Sequence, residues 1–196
     1  MKFYLFRHGE TDWNKESRIQ GSTNTQLNSR GIQQAKGLIP LLEELDLEVI
    51  YTSDLNRAYD TGKIVADAFD IPIHKEVRLR EANFGEAEGK TVDQIINDYG
   101  LELWESFRIM DLKNKEVSFP GGESRWDSVL RMRSVVKDLV AKNEYERVGI
   151  STHGGVVRNL LHSFLAEDHP PLPIPNCVTY LLEEREGSFF VEGPLK

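Results

Sequence analysis

Apolar residues along the chain follow two alternating rhythms. Short runs rich in β-branched and aromatic residues read as strands: Phe3 to Phe6, Val49 to Thr52, Val148 to Ser151, Val178 to Leu182 and Phe189 to Val191. Elsewhere the apolar positions step by three and four, the spacing that gathers side chains on one face of a helix. Four such stretches occur. The first is Ile32, Ala35, Leu38, Ile39, Leu42 and Leu45, and the second Ala58, Val65, Ala66 and Phe69. The third is Trp126, Val129, Met132, Val136, Leu139 and Val140, and the fourth Val156, Val157, Leu160, Leu161 and Phe164. Pro40 predicts a kink or restart in the first, and Ser53 or Asp54 is the candidate N-cap of the second. Strands alternating with helices predict an α/β fold of three layers, a mainly parallel sheet with helices on both faces. From Lys90 to Glu123 the rhythm breaks. Tyr99, Trp104, Phe107 and Met110 are interleaved with charges up to Phe119-Pro120-Gly121-Gly122, which predicts a small insert over the strand ends. No repeat or linker interrupts the chain, and the turn His169 to Pro175 is too short to separate domains. Residues 1–196 therefore read as a single domain with an insert at about 90–123.

Composition narrows the class. With 196 residues, 39% of them hydrophobic, the chain can bury one core but not comfortably two. The 24 Lys and Arg against 32 Asp and Glu leave a net charge of −8. Such a chain repels nucleic acid and anionic lipid, so neither is expected as a partner, and an anionic ligand must meet a local cluster of cations. Cys177 stands alone, ruling out an intrachain disulfide and a thiolate metal cage; a reducing, cytoplasmic setting is expected. Phe3 to Phe6 is apolar for only four residues before Arg7, short of the roughly 7–15 of a secretory core and the roughly 20 of a membrane span.

Three predicted strands end in polar sets of one kind: Arg7-His8-Gly9-Glu10-Thr11, Thr52-Ser53-Asp54-Leu55-Asn56-Arg57 and Thr152-His153-Gly154-Gly155. Ligands of open α/β sheets collect at the carboxyl ends of strands, so two histidines and two arginines would converge there. The rigid fork of arginine suits phosphoryl oxygens, and Gly9, Gly154 and Gly155 let backbone N–H groups approach an anion. A histidine is largely neutral at pH 7, and only the neutral ring is a nucleophile. His8 and His153 are both candidates for covalent phosphoryl transfer, with Glu81 the candidate acid. A metal site built from His8, His153, Asp54 and Glu81 is disfavoured by the absence of ligand spacing and by the arginines, so no metal is expected. His74, His162 and His169 have no evident partner set and read as surface or packing residues. Trp104, Phe107 and Met110 read first as the core of the insert and second as a substrate-facing wall. Arg108, Lys113 and Lys115 read as solvated charges.

The segment Arg7-His8-Gly9-Glu10-Thr11-Asp12-Trp13-Asn14 resembles the signature of the histidine phosphatase superfamily, the phosphoglycerate-mutase-like proteins. The similarity continues through Arg18, Gln20-Gly21 and Leu27, Thr52 to Ala58, Leu79-Arg80-Glu81 to Gly89, Pro120 to Ser124, and Ser151 to Gly155. Five motifs in the family's order span residue 3 to about residue 160. The resemblance implies a phosphoglycerate-mutase-like fold without cofactor or metal. It makes His8 the residue phosphorylated, Arg7, Arg57 and His153 the holders of the phosphoryl group, and Glu81 the proton donor. Asn14, Gln20, Gly21 and Gly154 fall among the substrate-binding positions. The glycolytic mutases carry a long basic insert after the glutamate motif and an Asn where Gly155 stands; both departures look like the phosphatase branch. Ala87 occupies a position where the family more often has Trp. The expected activity is metal-independent hydrolysis of a small phosphorylated metabolite through a phosphohistidine. Phosphoglycerate mutase and a non-catalytic phospho-ligand binder are the alternatives. The oligomeric state is open, with a homodimer among the options.

Overall fold

A computed structural model describes residues 1–108 and 115–196; Met110, Lys113 and the side chain of Arg108 lie outside the described residues. The strands are β1 (Lys2–Arg7), β2 (Val49–Thr52), β3 (Ile73–Lys75), β4 (Arg147–Thr152), β5 (Thr179–Arg185) and β6 (Ser188–Glu192). The helices are α1 (Asp12–Lys15), α2 (Ser29–Gly37), α3 (Ile39–Glu43), α4 (Asn56–Phe69), α5 (Val92–Tyr99), α6 (Leu101–Arg108), α7 (Arg125–Lys142) and α8 (Gly154–His162). The sheet runs β3-β2-β4-β1-β5-β6. Its first four strands pair in parallel, and β5 and β6 extend it antiparallel.

Strand periodicity separates the two cores. Successive side chains of a strand point to opposite faces. On β1, Phe3 and Leu5 face α7 and α8, packing with Met132, Val136, Val157 and Leu160. Tyr4 and Phe6 face the other way, against Leu38, Leu42, Val65 and Ala66 of the α2–α4 layer. The sheet is thus buried on both sides, which is why its central strands read as unbroken apolar runs.

The first helical stretch restarts as foreseen, with Pro40 near the start of α3. Other expectations need correction. Neither Ser53 nor Asp54 caps α4; the N-cap is Leu55, which offers no side-chain bond. The Ser53 hydroxyl accepts from the Leu55 N–H, and Asp54 forms a bidentate pair with Arg80 at 2.7 and 2.5 Å. Helix α8 begins two residues before the predicted apolar stripe, with His153 at its N-cap. Strand β3 escaped prediction because it is three residues long and partly exposed. Within the predicted insert, α5 and α6 join at Gly100, whose φ of 87° suits a residue without Cβ. With neighbouring segments they enclose a third, small core around Ala87, Ile95 and Phe119, against which Trp104 and Phe107 pack. Among the described residues no helix is long and apolar enough to cross a membrane.

Candidate active site

Parallel pairing of β1 with β4 sets Arg7 opposite Thr152, so the next residues, His8 and His153, leave the sheet side by side. Their rings lie 5.2 Å apart, edge to face, and both are buried. The His8 N–H donates to the Thr152 carbonyl at 2.9 Å, tying the two strand ends together. Strand β2 delivers Ser53, whose hydroxyl meets His153 Nε2 at 2.9 Å, and the first turn of α4 delivers Arg57.

The two nitrogens of His8 have different fates. Nδ1 donates to the Gly9 carbonyl at 2.7 Å, since a carbonyl can only accept. Nε2 accepts from Arg57 Nε at 3.3 Å. Glycine at position 9 is required by close approach: a Cβ there would stand 2.3 Å from the Gly31 carbonyl oxygen. Arg57 is fully buried, and its terminal nitrogens donate to the carbonyls of Thr23 and Gly21, both at 2.7 Å. Arg7 donates through Nη1 to the Ile174 carbonyl at 2.8 Å, while its buried Nε has no partner among the described residues. Burial, and after it the charges of Arg57 and Arg7, hold His8 well below the ordinary histidine range. Burial followed by Arg57 does the same for His153. Both rings are therefore neutral at pH 7. Burial lowers Arg57 to about 10, partly countered by Glu81, so it stays charged.

Glu81 is fixed at the N-terminus of α8. Its Oε2 accepts from Gly155 N–H at 2.9 Å and its Oε1 from Val156 N–H at 3.0 Å, donors that the first helical turn leaves without intrahelical partners. A Cβ on residue 155 would lie 2.6 Å from Glu81 Oε1, which accounts for Gly155. Asn14 closes a capping box with Thr11 and accepts Asn176 Nδ2 through Oδ1, leaving its NH₂ as the donating end. Gln20 accepts from Thr25 at 2.5 Å.

Arg7, His8, Asn14, Gln20, Gly21, Arg57, Glu81 and Gly154 all line one cavity of about 210 Å³; His153 is not on its wall but stands against the His8 ring. Asp54 is occupied with Arg80. Among the described residues no group of three or more His, Cys, Asp or Glu side chains is placed to hold a metal ion.

Four contributors escaped the sequence reading. Asn176 donates to the His8 carbonyl at 2.9 Å, and Thr61 accepts from Gly9 N–H at 3.0 Å. Arg158 lines the cavity from the second turn of α8, where its place one turn after Gly154 was a usable signal. Glu88 accepts from the N–H and hydroxyl groups of Ser22 and Thr23 and from Phe84 N–H, at 2.6 to 3.1 Å. It straps down the loop whose carbonyls anchor Arg57. His162, read as a packing residue, has a partner after all: its Nε2 accepts from Leu172 N–H at 3.1 Å, next to the turn that holds Arg7.

Comparison with known proteins bears on the family and the fold. The sequence profile of the histidine phosphatase superfamily (branch 1) matches residues 3–193. The probable phosphoglycerate mutase GpmB of Enterobacter sp. (strain 638) is 30% identical over 196 residues, covering 98% of this chain and 89% of that protein. Among solved structures, Bacillus stearothermophilus YhfR superposes with a TM-score of 0.85 at 33% identity, covering 100% of this chain and 99% of that one. The mycobacterial glucosyl-3-phosphoglycerate phosphatase complexed with VO3 superposes with a TM-score of 0.84 at 29% identity, covering 97% and 96%. Motifs, sheet order and a profile spanning nearly all of its length together place the chain in the histidine phosphatase superfamily, branch 1.

Proposed function

We propose that the protein is a metal-independent phosphomonoesterase that acts on a small phosphorylated metabolite through a phosphohistidine at His8. One observation carries the reading: the Gly9 carbonyl holds the proton of neutral His8 on Nδ1, leaving the lone pair on Nε2 beside Arg57. In the first step Nε2 attacks phosphorus, an N–P bond forms and the ester P–O bond breaks. Arg7 and Arg57 face the phosphoryl oxygens. With the Ser53 hydroxyl donating to His153 Nε2, the proton of that ring sits on Nδ1, which has no partner among the described residues and would donate to a phosphoryl oxygen held against the His8 ring. Glu81 in its acid form gives its proton to the departing alkoxide. In the second step the Glu81 carboxylate takes a proton from water as the water oxygen attacks phosphorus. The P–N bond breaks, releasing inorganic phosphate, neutral His8 and protonated Glu81. Gly155 standing where the glycolytic mutases carry Asn, and the similarity to a phosphatase of known structure, support hydrolysis over transfer to a second hydroxyl.

The test is turnover of p-nitrophenyl phosphate in excess chelator, with quenching in alkaline denaturant to trap acid-labile, base-stable phosphoprotein. Turnover and trapping that both vanish in His8→Ala are expected. Release of 2-phosphoglycerate rather than free phosphate from 3-phosphoglycerate would make the enzyme a mutase. Tight phosphate binding without turnover would make it a binder.

A further inference from the structure

Beside the phosphoryl cavity lies a second one of about 160 Å³. The two share Ile19, Phe84, Gly155 and Arg158 on their walls, so the second opens where the leaving group of a bound phosphate ester would emerge. Its lining is dominated by rings. Phe107 stacks on Phe119 at 4.1 Å with an interplanar angle of 4°, Phe84 meets both edge-on, and Trp104 and Ala82 complete the wall. Apart from Arg158, which stands where the two cavities meet and donates through Nε to the Leu172 carbonyl at 3.3 Å, the polar side chains on that wall are engaged within the protein. Glu123 pairs with Arg131 at 2.7 Å, Arg125 donates to the Ser106 carbonyl at 2.6 Å, and Asn159 donates to Ser128 at 3.2 Å. Away from Arg158 at its mouth, what the cavity offers an incoming group is therefore apolar surface and ring faces. A dry cavity of about 150 Å³ with such a lining is known to take up benzene, so the space suits a single ring.

We infer that this cavity is the leaving-group subsite and that the enzyme's substrates are phosphate monoesters carrying an aryl or comparably bulky apolar group within one or two carbons of the ester oxygen. The assignment rests on the phosphomonoesterase reading above and narrows it to a substrate class. Beyond the reach of Arg158, a small polyol phosphate would place hydroxyls against rings that give them no partner.

Binding separates the two ideas because it needs no chemistry. The probes are 2-phenylethylphosphonate and ethylphosphonate, non-hydrolysable and alike at the phosphorus end, titrated calorimetrically into the intact protein. The phenyl compound is expected to bind roughly 10- to 100-fold more tightly, the range given by burying one phenylalanine-sized side chain. In Trp104→Ala most of that ratio is expected to disappear, and Trp104→Phe is expected to restore it. Equal affinities in the wild type, or a ratio untouched in Trp104→Ala, would overturn the subsite. Turnover of the matching 2-phenylethyl and ethyl phosphates, which have leaving groups of similar basicity, tests the phosphatase reading separately: binding preference without hydrolysis sinks that reading and leaves the subsite standing.

Discussion

Arg57 spends its guanidinium on two backbone carbonyls and on Nε2 of His8, a division that only a planar fork can make. A lysine there would keep the charge but could not reach all three. Arg57→Lys is therefore expected to lower kcat/KM for p-nitrophenyl phosphate by about 10²–10³-fold, the cost of losing a fixed donor to developing charge. Steady-state kinetics beside a thermal melt would separate that loss from misfolding. Glu81 makes a sharper case, because its role depends on the leaving group. Glu81→Gln should cost about 10²–10⁴-fold on ethyl phosphate, whose alkoxide must be protonated, and far less on p-nitrophenyl phosphate. Equal losses on the two esters would remove Glu81 from the role of acid. Arg57 was legible because it sits in a short local pattern after a strand end, and Glu81 because its motif, Leu79-Arg80-Glu81, resembles the family's. Asn176, Thr61 and Glu88 were not, since their importance comes from partners distant in the chain that no spacing reveals.

Among elements, the loop between α1 and α2 has little regular structure of its own and owes its shape to Glu88. Removing that carboxylate in Glu88→Ala leaves the N–H groups of Ser22, Thr23 and Phe84 without their acceptor. Stranded, partly buried donors cost about 1–3 kcal/mol. At roughly 2–4 °C per kcal/mol for a chain of this size, the melting temperature should drop by about 2–12 °C. Turnover should fall with it as Arg57 loses its anchors, and a variant with unchanged melting and kinetics would show that the loop needs no strap. The periodicity of the chain located the helices and strands around the sheet, β3 apart, to within a few residues, because they bury a face and must repeat, whereas α5 and α6 of the insert were not foreseen as helices. Where burial is weak the pattern faded: β3 was missed, and the start of α8 was placed late because its first residues are glycines serving Glu81 rather than the core. Ser53 and Asp54 misled as caps because tertiary partners took their side chains.

At the level of the whole molecule, three buried histidines tie stability to pH. His8 and His153 are held well below their usual range by burial and neighbouring arginines, and burial lowers His162 to about 4. A histidine neutral in the native state and free to protonate when unfolded stabilises the fold above its unfolded value near 6.5. That contribution is lost as the pH falls from there toward the native value, because the unfolded chain then binds more protons. Melts recorded from pH 7.5 down to pH 5 should therefore show a falling midpoint. The slope of unfolding free energy between pH 6.5 and 5 should be shallower in His8→Asn by up to about 1.4 kcal/mol per pH unit. An unchanged slope would mean that His8 carries a proton in the native state. The adjacency of β1 and β4 has a further result in time rather than in space. Residue 7 must find residue 152 before the imidazole pair exists, and Asn176 must arrive later still to close over His8. A chain emerging from the ribosome would display His8, Arg57 and Glu81 long before it could use them. Recovery of catalysis after dilution from denaturant should accordingly track the last, slowest event of refolding, the joining of distant parallel strands, and the reaction itself becomes a clock for its completion.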